Sequence, residues 1–177
     1  FVSETFIMKS PFAIPFVGLK LGLHEFEFDI DKSFFDSLPY SLIENGRLTA
    51  YLELEKKETM LIANLGIVGF IFTNCDRCTE SLSQEIDGEF TIYYTFGEED
   101  SEDENLIVIS PDSYQIDITQ PLYELISLSM PSKLIHDENE CNEEMVALLA
   151  KYQQPAPSSE PDKNDIDPRW SALKNLN

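Results

Sequence analysis

Residues 48–74 read LTAYLELEKKETMLIANLGIVGFIFTN, and their pattern is the strongest indication of the fold. Every second residue from 48 to 55 is apolar, which is typical of a strand with one buried face. Residues 56–58 are polar and interrupt this alternation, and residues 59–73 are then apolar on both faces. We therefore predict a hairpin whose returning strand lies in the centre of a sheet.

Further strands are predicted on both sides of this hairpin. Residues 25–30 and residues 82–96 alternate in the same way, and residues 106–109 read as a last short strand. Asp31 opens a short helical turn that Pro39 stops. The simplest arrangement of these strands is an antiparallel meander or a partly closed, barrel-like sheet.

Two helices are predicted after the strands. The first begins near Thr119, accepts Pro121 in its first turn and ends before Pro131. The second has Asn142 as its N-cap and apolar residues at helical spacing as far as Tyr152. We expect both helices to pack against the core. The predicted fold class is therefore α+β, with an antiparallel sheet, two C-terminal helices and an extended acidic tail.

The length of 177 residues fits one ordinary domain, which we place at residues 1–153. Residues 154–166 are rich in proline and acids and poor in bulky apolar residues, so we predict a flexible linker there. Residues 167–177 read as a short helical segment with Trp170 and Leu173 on one side. That side either docks on its own domain or anchors a partner, and we predict these two residues as a partner-binding site.

The charge of the chain restricts its partners. Lys and Arg number 12 against 33 Asp and Glu, which gives a formal net charge of −21. Nucleic-acid binding rests on cations that neutralise phosphates, so contact with RNA would need a local basic patch, such as Lys9, Lys20, Lys56 and Lys57. A basic protein, or a particle that contains basic proteins, is the easier partner.

Several classes of protein are disfavoured by what the sequence lacks. No stretch reaches the roughly 18 uninterrupted apolar residues of a membrane span. Three cysteines do not form a secreted disulfide framework, so we expect a cytoplasmic protein that does not bind a membrane. Glycine-rich phosphate loops, G-x-S-x-G and H-E-x-x-H are missing, and the carboxylates cluster in runs typical of solvated loops. We expect a binding protein that is not an enzyme and has no small-molecule substrate.

The cysteines and one histidine form a candidate metal site. Cys75 and Cys78 make a C-x-x-C motif at a predicted hairpin turn, which puts two thiolates on one side of the chain. His136 and Cys141, with four residues between them, supply a second pair. Together they offer three sulfurs and one nitrogen to a structural Zn²⁺. The spacing is also compatible with reduced thiols and an ordinary loop histidine that bind no metal.

A redox function is the other interpretation of the C-x-x-C motif. In thioredoxin-like proteins such a pair sits at the start of a helix after a strand, where the helix dipole lowers the thiol pKa. Strands flank the motif in this chain, which disfavours a disulfide oxidoreductase.

Four stretches together resemble one family of bacterial proteins: residues 11–22, residues 75–80, residues 129–141 and residues 167–173. That family is YceD, and the resemblance covers nearly the whole chain. It implies a role in the accumulation of large-subunit ribosomal RNA, and hence in ribosome assembly. It also implies metal binding and nucleic-acid binding, with the family's cysteine pair on Cys75 and Cys78 and its H-x4-C pair on His136 and Cys141.

The charge and the resemblance together predict an accessory factor for accumulation of large-subunit ribosomal RNA. We expect it to bind a basic ribosomal protein or a large-subunit assembly intermediate. Direct binding of RNA and thiol oxidoreductase chemistry are the alternatives.

Overall fold

The computed structural model describes residues 11–98, 103, 105–137 and 140–152. In chain order, the elements are β1 (Ala13–Pro15), β2 (Gly22–Ile30), α1 (Lys32–Asp36), β3 (Asn45–Lys56), β4 (Met60–Asn74), β5 (Ser81–Phe96), β6 (Leu106–Ile109), β7 (Gln115–Asp117), α2 (Thr119–Ser129) and α3 (Glu143–Tyr152). The class is α+β, as the sequence predicts.

The central sheet has five strands in the order β2-β3-β4-β5-β6. The first four are antiparallel neighbours in sequence order, which confirms the meander and its β3–β4 hairpin. β6 instead begins beside Tyr93 and ends beside Phe96, so it runs parallel to β5, and the prediction of a wholly antiparallel sheet is wrong at this strand. Alternation marks a strand but not its direction, because side chains alternate in both kinds of pairing.

The central sheet is open in the described part of the chain, with β2 and β6 as its edges, so the barrel-like closure is not found. A second sheet, which the sequence did not predict, pairs β1 with β7. Each of its strands has three residues, which is too short for a period of two to be recognised. Their pairing places Ile14 opposite Ile116, and both side chains are buried in the core.

The core lies on one face of the central sheet, which we call the inner face. The alternating apolar residues of β3 and β4 point into it, and α1 and α2 cover it. Asp31 caps α1 through a hydrogen bond from the Ser33 amide, as the sequence predicts. α2 approaches β5 at Gly88, where any Cβ atom would clash with Ser129 Oγ. On the opposite, outer face, Tyr51, Val68 and Phe70 remain between 42% and 46% exposed.

α3 does not pack in the core, so that prediction is wrong for the second helix. Among Glu143–Tyr152 no residue is buried, and Tyr152 is 79% exposed. The Asn142 side chain caps the helix, as predicted, by accepting hydrogen bonds from the amides of Glu144 and Met145. The amphipathic spacing shows which residues share a face, but it does not show what that face contacts.

The predicted linker at 154–166 and the segment with Trp170 and Leu173 lie outside the described residues, and their roles stay predictions. Among the helices that the structure describes, none is long and apolar enough to cross a membrane.

Candidate metal centre

The turn between β4 and β5 holds the first two cysteines. The Cys75 amide donates to the Glu80 carbonyl, and the Thr79 amide donates to the Cys75 carbonyl, both at 2.8 Å. Thr79 has a φ of 63°, a left-handed conformation that lets the chain reverse within this short loop. The turn leaves Cys75 and Cys78 only 2% and 1% exposed.

The segment before α3 crosses this turn and is fixed to it by a pair of hydrogen bonds. The Asp76 amide donates to the Leu134 carbonyl at 2.7 Å, and the Leu134 amide donates to Asp76 Oδ2 at 2.8 Å. Farther along, the Asn142 side chain donates to Glu80 Oε1 at 2.7 Å. These contacts bring His136 and Cys141 to the cysteine pair.

The four predicted ligands come together, with their donor atoms all within 4.8 Å of one another. Cys75 Sγ lies 3.8 Å from Cys141 Sγ. His136 Nδ1 lies 3.4 Å from Cys78 Sγ and 3.9 Å from Cys141 Sγ. A tetrahedral zinc ion would separate two sulfurs by about 3.8 Å, and a sulfur from a nitrogen by about 3.6 Å. The cluster therefore has the dimensions of a tetrahedral metal site, and its three cysteines are free thiols.

The surroundings of the cluster orient its ligands. His136 Nε2 lies 3.0 Å from the Ser81 carbonyl oxygen, which can accept its proton and so leave the Nδ1 lone pair directed at the sulfurs. Arg77 contacts two sulfurs, through its amide to Cys75 Sγ at 3.4 Å and through its guanidinium to Cys141 Sγ at 3.9 Å. This cation would offset the negative charge of three thiolates bound to a metal. The side chains of Leu82, Ile135 and Met145 pack around the cysteines.

The local hydrogen bonds favour thiolates at the turn. Burial raises the pKa of Cys75, but hydrogen bonds from the amides of His136, Cys78 and Arg77 outweigh this effect and lower the pKa to about 6. For Cys78 the balance is similar, since backbone hydrogen bonds overcome the effect of burial and its pKa is lowered. Burial and the neighbouring thiols raise the pKa of Cys141. Metals bind cysteine as thiolate, so the turn supplies two sulfurs in a suitable state.

Sequence reasoning missed the residues that hold this site together. Asp76, Glu80 and the Ser81 carbonyl join its two halves. They sit within or just after the C-x-x-C motif, but no spacing rule marks a residue that binds the distant half of a site.

Two of the four lysines of the predicted basic patch contact groups of the protein itself, and Lys20 is exposed. Lys56 Nζ donates to the carbonyls of Phe16 and Leu19, both at 2.9 Å, and Lys57 forms an ion pair with Glu55 at 3.3 Å. Lys9 lies outside the described residues.

Comparison with known proteins gives one finding. The family model described as Large ribosomal RNA subunit accumulation protein YceD matches residues 64–177, which is more than half of the chain and includes all four residues of the cluster. No curated protein and no solved structure matches the chain.

Proposed function

The chain belongs to the YceD family of large ribosomal RNA subunit accumulation proteins, and from this membership we propose that it is a non-enzymatic accessory factor for large-subunit assembly. In this role it acts in the cytoplasm and supports accumulation of large-subunit ribosomal RNA by binding a basic ribosomal protein or an assembly intermediate. The observation that carries the proposal is the family match over residues 64–177.

The cysteine–histidine cluster has, in this proposal, a structural role as a Zn²⁺ site. Four protein donors leave no open position for water or substrate, which is typical of structural rather than catalytic zinc. The donors are three buried cysteines and a histidine whose second nitrogen faces a backbone carbonyl. A bound Zn²⁺ would cross-link the β4–β5 turn to the segment that leads into α3.

The charge of the chain supports a protein partner over naked RNA. The net charge is −21, and among the described residues four of the twelve cations contact groups of the protein itself: Lys32, Lys56, Lys57 and Arg77. A phosphate backbone would meet a repulsive surface, whereas ribosomal proteins offer cations.

The position of the C-x-x-C motif disfavours the oxidoreductase alternative. The motif lies on a hairpin turn between two strands, with its thiols buried, and not at the N-terminus of a helix. It therefore lacks the exposed thiolate at a helix start that such enzymes use.

Ribosome profiles test the function. We expect deletion of the gene to lower the ratio of large to small ribosomal subunits in sedimentation profiles and to lower the level of large ribosomal RNA. Expression of the wild-type chain should restore both. An unchanged subunit ratio and an unchanged level of large ribosomal RNA in the deletion strain would contradict the proposed role.

Elemental analysis tests the zinc site. Protein purified without a metal-affinity tag should carry close to one zinc per chain, and His136→Asn and Cys141→Ser should each lose most of it. His24→Asn is the matched control, because His24 lies in β2 and contacts the Lys20 carbonyl rather than the cysteine cluster. A wild-type chain free of zinc under non-chelating conditions would disprove the site.

A further inference from the structure

The outer face of the central sheet contains a groove of about 1070 Å³ whose charged lining is entirely acidic. The strand register aligns its residues in two rows. One row runs Glu25, Glu53, Asn64, Thr91, and the next runs Glu27, Tyr51, Gly66, Glu89. We call this surface the outer groove, defined by Glu25, Glu27, Tyr51, Glu53, Gly66 and Glu89.

The shape of the groove comes from Gly66 at its centre. Its cross-strand neighbours are Tyr51 and Glu89, whose side chains stand on either side of a position that has none. A Cβ atom at Gly66 would have only the Gly88 carbonyl oxygen within 4 Å, at 3.9 Å, so the space above the strand is open. Beside it, Thr91 donates to Asn64 Oδ1 at 2.8 Å, which gives the groove a polar floor.

The described residues of the protein do not balance the charge of the groove. Glu25 lies directly opposite Glu53 on the neighbouring strand, and like charges in that position destabilise a sheet. The ion pairs among the described residues, Lys32–Asp36 and Lys57–Glu55, involve none of the four glutamates. In the part of the chain that the structure describes, no lysine or arginine lines the groove. A cation from outside would relieve this repulsion.

We propose that the outer groove binds an extended, arginine-rich segment of a basic protein. This inference deepens the proposed function and rests on it, because it names the surface that receives the basic partner. Guanidinium groups form bidentate hydrogen bonds with carboxylates and stack on aromatic rings. The groove offers both, through its four glutamates and through Tyr51 and Tyr93, which are 46% and 39% exposed.

The dimensions and the charge of the outer groove favour an extended basic peptide over other occupants. Four strands span about 14 Å, which an extended peptide crosses with about four residues. A second copy of this chain would bring its own net charge of −21 to the groove, and a nucleic acid would bring phosphates, so both would be repelled.

The test is the binding of a peptide to the full chain, which fluorescence anisotropy measures in about 0.15 M salt. The probe is a labelled peptide of alternating arginine and serine, compared with its lysine and glutamate counterparts. We expect the arginine peptide to bind most tightly and the glutamate peptide not to bind. Equal affinity for the arginine and lysine peptides would overturn the proposed selectivity for arginine.

Variants locate the binding on the outer groove. Glu53→Gln with Glu89→Gln should weaken binding about tenfold, and Tyr51→Ala should weaken it about threefold. The matched control, Glu44→Gln with Glu58→Gln, removes the same net charge from exposed residues outside the groove and should change binding less than twofold. Thermal unfolding of each variant verifies that it is folded. Equal weakening by the two double variants would overturn the proposal, because binding would then depend on overall charge.

The deletion strain separates this inference from the proposed function. If the wild-type chain and the Glu53→Gln, Glu89→Gln variant restore large ribosomal RNA equally well, the groove is not the partner site, although the assembly role stands. If deletion has no effect on ribosomal RNA, the assembly role fails, and peptide binding alone decides whether the groove recognises arginine.

Discussion

Gly69 in β4 shows how one residue constrains the central sheet. It has a φ of 150°, and a Cβ atom there would clash with the Arg47 carbonyl oxygen and lie 2.6 Å from Leu48 Cα. Both of those atoms are backbone of the neighbouring strand, so no side chain can move aside to make room.

The substitution Gly69→Ala should therefore lower the free energy of unfolding by about 2–4 kcal/mol. Urea denaturation would measure the loss. Gly66→Ala is the control, since it lies on the same strand with nothing closer than 3.9 Å to the added carbon, and we expect it to cost less than about 1 kcal/mol. Equal losses for the two variants would contradict the steric argument.

Tyr94 is a second residue whose effect on stability appears only in the structure. The hydroxyl group is buried, and it has no hydrogen-bond partner among the described residues. Burial, together with the negative charge of Asp117, raises the pKa of Tyr94 to about 12. The alternation of β5 places Tyr94 in the core, but it does not show whether the hydroxyl finds a partner there.

The raised pKa predicts a loss of stability in alkali. Between about pH 10 and pH 12 the unfolded chain releases this proton and the folded chain keeps it, so stability falls as pH rises through this window, by about 2–3 kcal/mol in total for this group. Tyr94→Phe should abolish that part of the loss in urea titrations at each pH. The control is Tyr93→Phe, whose ring is 39% exposed. Identical pH profiles for the wild type and Tyr94→Phe would disprove the prediction.

At the scale of elements, strong periodicity was the reliable signal. Alternation placed β3 and β5, and the continuous apolar run placed β4, so that five of the six strand boundaries were predicted within one residue. β3 begins three residues earlier than predicted. The direction of β6 and the pairing of β1 with β7 could not be predicted, because they depend on which segments meet in space. The exposure of α3 could not be predicted for the same reason, because its apolar residues have the spacing of a helix that packs in a core.

α3 should depend on the proposed metal site more than the sheet does. No residue of the helix is fully buried. It is joined to the rest of the protein at the candidate site, through Met145, which packs against the cysteines, and through the Asn142–Glu80 hydrogen bond. Removal of zinc with a chelator should therefore increase amide hydrogen exchange in α3 and in residues 134–141, while β3 and β4 stay protected.

The control for this experiment is Cys141→Ser, in which the chelator should add little to exchange that is already raised. Protection of α3 that does not change when wild-type protein loses its zinc would contradict the structural role of the site.

At the scale of the whole molecule, the candidate site was predictable and the groove was not. C-x-x-C and H-x4-C are local patterns, so each half of the cluster was visible in the sequence. Their donor types predicted one four-ligand set, which the resemblance also implied. The outer groove depends on register. Glu25 and Glu53, or Tyr51 and Gly66, become neighbours only when the strands are aligned residue by residue, which alternation alone does not fix.

The net charge of −21 should make the stability of the folded protein depend on salt. Thirty-three acidic residues face twelve basic ones, and among the described residues only two ion pairs form, so repulsion between carboxylates opposes folding. Screening shortens the range of that repulsion from about 30 Å at 0.01 M salt to about 8 Å at 0.15 M. The unfolding midpoint should therefore rise by several degrees over this interval in differential scanning calorimetry.

The control for this effect is the outer-groove variant Glu53→Gln with Glu89→Gln. This variant removes one member of the directly opposed Glu25–Glu53 pair, so its midpoint should be higher than that of the wild type at 0.01 M salt, and the difference should shrink as salt is added. A wild-type midpoint that stays constant or falls between the two salt concentrations would show that repulsion between its carboxylates does not limit its stability.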